Sequence, residues 1–468
     1  MTSLARVLVN QNTVARWLPW VLAVAGFAFD IAAYWPGQMS FDSAYTWWQA
    51  RGGTTTDIVP PMFVLAWRFC DLFVDGPGLL FALHLLLFWV GLGLLARALR
   101  CGPRATVALM LLVAFAPIPW LLRGHVWTDV GLFSALTCAI GALASAEVGH
   151  QRRWLSLAAV AMFYAAMLRH NALPAMLPLL TWFVWLLLRD THGGVKPALS
   201  DVALKTFLLV VTVLATAHLI DRSVDRHVPL WPSLAQWDLA AISVATDTML
   251  LPDFMIGPGL DIADLAQAFR DWSNTPMLVN TRHGMRDPFS DTYSSDELSR
   301  LRHAWLDAIS THPRTWLAHR WRLTRALFGT HALDWPHELI YVDDEVRYRD
   351  NPPIARNASV LHSTLLRVAA ALQATPVLGA WPTLAIGLIA LPLAWRRRRR
   401  SVGASIALIL LASAWLYALP LTLFAPSAEL RYLGWPCVAS LLALACAASA
   451  PDAPALINSW ATSAEGSP

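Results

Sequence analysis

Charge is what this sequence has least of. Asp, Glu, Lys and Arg make up only 14% of its 468 residues, against about a quarter in a soluble domain of ordinary composition. That deficit excludes a soluble protein of this size. A net charge of +4 is too small to suggest a nucleic-acid partner. Cysteine is scarce and scattered: there are five, and Cys138, Cys437 and Cys446 fall within apolar runs, so no disulfide framework is implied. No internal repeat is evident, which removes the repeat architectures. In place of charge the chain has 56% apolar residues and 24 Trp, and Trp gathers at membrane–water interfaces.

The class expected is therefore an all-α polytopic membrane protein. Runs long enough to span a bilayer lie at 17–35, 78–97, 104–121, 130–147, 154–168, 172–188, 203–220, 376–395, 403–424 and 432–450, which makes about ten transmembrane helices. Arg6 and Arg16 precede the first run, and no small-residue cleavage site stands before Tyr34. The run reads as a retained signal anchor. With the N-terminus cytoplasmic, the inner loops are 97–104, 147–153, 189–196 and the five consecutive arginines of 396–400. All are short and basic, as the positive-inside rule requires, and both termini are then cytoplasmic. The outer segments are 36–77, 122–129, 169–171, 221–375 and 425–431.

Four parts follow: a seven-span module over 1–220, an outer region over 221–375, a three-span module over 376–450, and a short polar tail over 451–468 that is expected to be disordered. The outer region has apolar residues at helical spacing, so a small, mainly helical domain is expected there. Ser295 is placed as the N-cap of one helix and Pro313 in the first turn of the next. In the first outer loop Pro60 and Pro61 open a helix. Arg68, Asp71 and Asp75 share one of its faces and Met62, Leu65 and Phe69 another. That pattern fits a helix lying on the membrane.

The few charges near the membrane fall at one face. Asp42 stands alone in "YWPGQMSFDSAYTWWQARGG", Asp129 in "LLRGHVWTDVGLF", Arg169 in "AAMLRHNALPAML" and Arg431 in "PSAELRYLGWP". Each has an ordinary explanation. Asp42 and Asp129 can cap helices, Arg169 can snorkel, and Arg431 can snorkel or pair with Glu429. Four distant loops placing ionisable groups at one face favour a shared site.

In these elements and their order the chain resembles the C superfamily of glycosyltransferases, polytopic enzymes that use polyprenyl-phosphate sugars. Protein O-mannosyltransferases and lipid A aminoarabinose transferases are the nearest in pattern. The matching features are the acid after the first span, the Pro-Pro helix, the acid in the second outer loop, "RHN" at 169–171 and "RYLGWP" at 431–436. They cover roughly the first 190 residues and the last 50. Where relatives often carry His before the Pro-Pro pair, this chain has Val59.

The resemblance implies inverting transfer of a sugar from a polyprenyl-phosphate donor to a glycan, lipid or protein acceptor. The site would face the periplasm from a bacterial inner membrane. The chemistry suits the residues on independent grounds. A carboxylate at the membrane face, Asp42, can deprotonate an acceptor hydroxyl, with Asp129 orienting the acceptor. Guanidinium forks at Arg169 and Arg431 match a leaving lipid phosphate. His125, His170, Asn171 and Tyr432 are assigned to substrate binding. A divalent metal on Asp42 and Asp129 stays open, since two oxygens have no third ligand. His331, His337, Glu338, Asp343 and Asp344 in the outer region match no defined ligand spacing and read as a polar loop. Two other classes compete: a transporter or flippase, which requires midplane charges and repeated halves, and a polymerase of lipid-linked polysaccharide, which does not require Asp42.

Overall fold

The computed structural model describes residues 2–149, 151–169, 172–191, 196–280, 283–330, 348–355, 357–373 and 375–449. Among them the regular structure is helical, with isolated bridges and no strand. Helix α1 (Thr2–Tyr34) is followed by the short helices α2 (Phe41–Ala50) and α3 (Pro61–Asp71). Next come α4 (Gly78–Ala98), α5 (Pro103–Phe115), α6 (Pro117–Arg123), α7 (Thr128–Gly149), α8 (Arg152–Leu168), α9 (Ala172–Thr191) and α10 (Leu199–Asp221). A group of six follows: α11 (Trp231–Thr246), α12 (Ile262–Ala268), α13 (Thr275–Asn280), α14 (Ser295–Thr311), α15 (Pro313–Phe328) and α16 (Val360–Gln373). The last three are α17 (Ala380–Arg397), α18 (Val402–Phe424) and α19 (Gly434–Ala448).

Seven helices are long and apolar enough to cross a membrane: α1 over Arg16–Tyr34, α4, α7, α9, α10, α18 and the Leu430–Ala448 segment that contains α19. The chain is a multi-pass membrane protein. The expected span at 104–121 is broken. Pro117 drives Ala116 out of the helical region (ψ 142°), and α5 and α6 meet at a bend of 62°. If the pair is one crossing, the number is eight. The expected spans 154–168 and 376–395 fall on α8 and α17, which are not among the seven. Helix α8 has 17 residues, and the 18 of α17 include Pro392, Arg396 and Arg397.

Two ion pairs show how α8 runs. At one end of α7, Asp129 pairs with Arg169, just past α8. At the other, Glu147 pairs with Arg189 of α9 at 2.6 Å. Helix α8 therefore travels the length that separates the two pairs. Backbone proximity sets the α4–α7 seam. A Cβ on Gly141 would stand 2.3 Å from the Gly91 carbonyl oxygen, and one on Gly91 would stand 2.5 Å from the Thr137 backbone. Only small residues allow that approach.

A fully buried pair ties α1 to α6. Arg123 reaches Asp30 twice, Nε to Oδ2 at 2.8 Å and Nη2 to Oδ1 at 3.0 Å. Trp89 Nε1 donates to Oδ2 at 2.7 Å, and Arg123 Nη1 donates to the Ala114 carbonyl at 2.7 Å. The rings of Phe88 and Trp89 cover the guanidinium at 4.6 and 5.3 Å.

Helices α12, α14 and α15 pack on α11, while α16 packs against α1. Asp238 in α11 is fully buried. It accepts from Trp305 Nε1 at 2.9 Å and Trp316 Nε1 at 3.1 Å, and it pairs with Arg320 at 2.5 Å. Arg320 Nη1 donates onward to the Ala425 carbonyl at 3.1 Å, and Ala428 N donates to the Trp272 carbonyl at 2.8 Å. The group thus holds the 425–428 segment. Pro313 opens α15 as expected. The cap of α14 is Ser294 rather than Ser295, because Glu297 then stands three residues on and completes a capping box.

Helix α3 begins at Pro61. It buries Phe63, Val64 and Trp67 and exposes Leu65 and Phe69, continued by Leu72 and Phe73. Arg68 turns back to donate to the Ala50 and Gln49 carbonyls at the end of α2.

Candidate functional site

The site begins with two loops sewn together. Gln38 N donates to the Gly124 carbonyl at 2.8 Å, and Val126 N donates to the Gln38 carbonyl at 3.0 Å. Ser43 Oγ donates to the Val126 carbonyl at 2.8 Å, and Trp127 Nε1 donates to Ser40 Oγ at 2.8 Å. Gly37 makes this possible. Its φ is +105°, and a Cβ there would lie 2.6 Å from a Val126 methyl. Ser40 is the N-cap of α2, so Asp42 is the second residue of that helix and not its cap. The side chain of Asp42 is left to face the space between the loops.

That space is a cavity of about 790 Å³. Asp42, Asp129, Arg169, Arg431 and Tyr432 all line it, together with Glu429. Arg431 Nη2 meets Asp42 Oδ2 at 2.6 Å, and its Nε pairs with Glu429. Glu429 has further donors in Ser427 Oγ at 2.8 Å and Tyr432 Oη at 3.3 Å. Arg169 pairs with Asp129. Both cations lie against the Tyr432 ring, Arg169 at 4.9 Å and Arg431 at 5.6 Å from its centre. The Trp127 ring lies 5.1 Å from Arg431. The two arginines assigned to the lipid phosphate thus share one aromatic neighbour.

His125 takes a different place from the one expected. It is fully buried and does not line the cavity. Its ring stacks under Trp127 at 4.0 Å, and burial pushes its pKa down to about 4. It is a neutral support for Trp127, enclosed because the Gln38–Val126 pairing turns the 124–126 backbone inward. His170 and Asn171 lie outside the described residues, as do His331, His337, Glu338, Asp343 and Asp344. Among the described residues no group of three or more His, Cys, Asp or Glu is placed to hold a metal, and Asp42 and Asp129 each have an arginine partner.

Sequence reasoning missed the opposite wall. Trp231, Asn274, Asp287 and Tyr348, from the helices and loops that follow α10, also line the cavity. Asn274 Nδ2 donates to Ser233 Oγ at 2.7 Å. Asp287 Oδ1 accepts from Phe289 N at 2.9 Å. Nothing local in the sequence marks these residues, since their meeting with Asp42 depends on how the region after α10 folds back. The missed Asp30 did carry a signal, being an acid inside an apolar run.

Comparison with protein-family models, curated proteins and solved structures finds no match for the chain. Its chemistry has to be argued from the cavity. A half-exposed carboxylate, two fixed guanidinium groups and an aromatic and amide wall meet at the end of an apolar helix bundle. Such a set can hold an anionic group, accept a proton from a hydroxyl beside it, and pack a ring against aromatic faces.

Proposed function

We propose that the protein is a membrane glycosyltransferase. It moves a sugar from a polyprenyl-phosphate donor to a hydroxyl of a glycan, lipid or protein acceptor. The observation that carries this reading is the convergence of Asp42, Asp129, Arg169 and Arg431, from four separate stretches of the chain, on one cavity. The arginines take the donor phosphate and stabilise charge as it leaves. Asp42 accepts the acceptor's proton while the acceptor oxygen attacks the anomeric carbon from the face opposite the phosphate, which inverts the centre. Asp129 orients the acceptor.

The membrane arrangement belongs to the same reading. The basic segments 97–104, 147–153, 189–196 and 396–400 face the cytoplasm, both termini lie there, and the cavity opens to the periplasm of a bacterial inner membrane. Helices α8 and α17 cross with the seven, and with the broken pair the count is ten. Helix α3 lies in the interface on its Leu65 and Phe69 face. A transporter would hold its charges near the midplane, whereas these gather at one end of α7. The test incubates purified protein with radiolabelled polyprenyl-phosphate sugars and native membrane glycans, lipids and proteins. Label recovered in an acceptor supports the reading. Label that crosses a vesicle membrane unchanged replaces it with transport.

A further inference from the structure

The proposed phosphate site is already occupied by the protein's own acids. Two guanidinium groups, Arg169 and Arg431, are paired with three of the cavity's four carboxylates, Asp42, Asp129 and Glu429, the fourth being Asp287. An incoming phosphate therefore finds no spare cation among them. It has to take an arginine from a carboxylate, and the geometry singles out which one yields.

Arg431 is held by two acids of unequal standing. Glu429 is 15% exposed, accepts from Ser427 and Tyr432 as well, and occupies the Nε edge. Asp42 is 54% exposed and meets only Nη2. Among the described residues Arg431 is the side-chain partner of the Asp42 carboxylate. Removing Glu429 would strand a shielded acid that has two other donors to lose. Moving Asp42 returns a half-solvated carboxylate to the cavity at little cost, because a partly exposed pair is worth little. The Asp129–Arg169 pair is the more enclosed of the two, with side-chain exposures of 3% and 20%.

We propose that Asp42 is a placeholder for the donor phosphate: the phosphate displaces it from Arg431, and only the displaced carboxylate works as a base. This rests on the transferase reading above. While it is paired, Asp42 Oδ2 is engaged by Arg431 Nη2 at 2.6 Å, so that oxygen is not free to accept from an acceptor hydroxyl. Once phosphate neutralises Arg431, Asp42 accepts the hydroxyl proton. The acceptor oxygen–carbon bond forms, the carbon–phosphate oxygen bond breaks, and its electron pair leaves with the lipid phosphate. Asp42 then gives its proton to water and re-pairs with Arg431, which helps to expel the product phosphate. Donor binding thereby precedes activation of the acceptor.

Farnesyl phosphate is the probe, with farnesol as the uncharged control. Purified protein is labelled at accessible carboxyls with a water-soluble carbodiimide and an amine, and the labelled sites are read by mass spectrometry. Farnesyl phosphate should raise labelling of Asp42 about fivefold, the scale of releasing a half-exposed pair. Farnesol should not raise it, and Glu429 should not change. Arg431→Gln should give high Asp42 labelling without any ligand. Asp42→Asn should bind radiolabelled farnesyl phosphate severalfold more tightly than wild type, because the competitor is gone; a merely damaged site would bind more weakly. Farnesyl phosphate binding with unchanged Asp42 labelling, or with Asp129 released instead, overturns the placeholder and leaves the transferase reading standing. No binding of farnesyl phosphate by wild type overturns both.

Discussion

Two aspartate–arginine pairs join the first part of this chain to a later segment, and they are built to opposite ends. Asp30 and Arg123 meet edge to edge through two contacts, with an indole N–H on the acid and a backbone carbonyl on the remaining guanidinium nitrogen. Asp42 and Arg431 share one contact at the mouth of a cavity, with the acid half in solvent. The same two residue types make a lock where each nitrogen and oxygen of both side chains has a partner and both are fully buried. They make an exchangeable contact where one partner keeps its access to solvent. The deciding factor is the completeness of the surroundings.

Breaking the lock should have the largest effect. Arg123→Ala leaves Asp30 buried and unpaired, at a cost of about 3–5 kcal/mol, which is a large part of a typical folding free energy. Loss of the monodisperse, cooperatively melting species after detergent extraction is the expected outcome. Replacing both partners, with Asp30→Leu and Arg123→Met together, should restore much of it, since an apolar substitute for a whole buried pair is often neutral. A single Arg123→Ala variant that melts like wild type would show that the pair is no lock.

The cavity pair should behave in reverse. Asp42→Asn should leave the melting temperature unchanged and lower single-turnover transfer by roughly 10²–10⁴, the usual cost of a positioned general base. Near-normal transfer would make Asp42 an ordinary loop acid. Arg431→Lys should come next, at roughly 10–100-fold in transfer, the scale of one lost hydrogen bond to a charged group. Lysine cannot hold Glu429 on one edge and a phosphate on the other. An Arg431→Lys enzyme as active as wild type would remove the fork from the argument.

The smallest effect concerns a third acid, intermediate between the two. Asp71 is half-buried beside Trp47 and Gly76, and burial raises its pKa to about 6 although both of those hydrogen bonds oppose the shift. An acid raised above its unfolded value stabilises the fold when protonated. That stability is fully present below about pH 4 and lost as pH rises through 6. Between pH 7.5 and 5 wild type should therefore gain melting temperature relative to Asp71→Asn. Parallel curves for the two proteins would contradict the shift.

The cavity pair was legible in the sequence and the lock was not. Asp42, Asp129, Arg169 and Arg431 stand out because each interrupts an apolar context at the end of a run, and the alternation of basic loops puts them on one side. Glu429 was legible as a partner of Arg431 because it is two residues away. Asp30 lies inside a run apolar enough to hide it, and its partner is 93 positions on. The break before α6 is written in Pro117 and Pro119, but hydropathy averages over it. His125 was misplaced because sequence shows it beside Trp127 without showing which of the two faces the cavity. The Trp231–Asn274–Asp287–Tyr348 wall needs the tertiary fold of the region after α10, which no local pattern encodes.

Helix α10 is the exception in the bundle: only 6% of its spanning window is buried, against 94% for α7. Its 23 residues measure about 35 Å, long enough to span a hydrocarbon core of about 30 Å. Just beyond its end, Asp225 accepts from Thr55 N and Oγ1 at 2.8 and 2.9 Å, in the loop between α2 and α3. Asp57 of that loop accepts from Val228 N at 2.7 Å. The lipid-facing helix is thus tethered to the loop that follows the helix of Asp42. A displacement of α10 would therefore be passed directly to the loop that leads into Pro60 at the cavity wall.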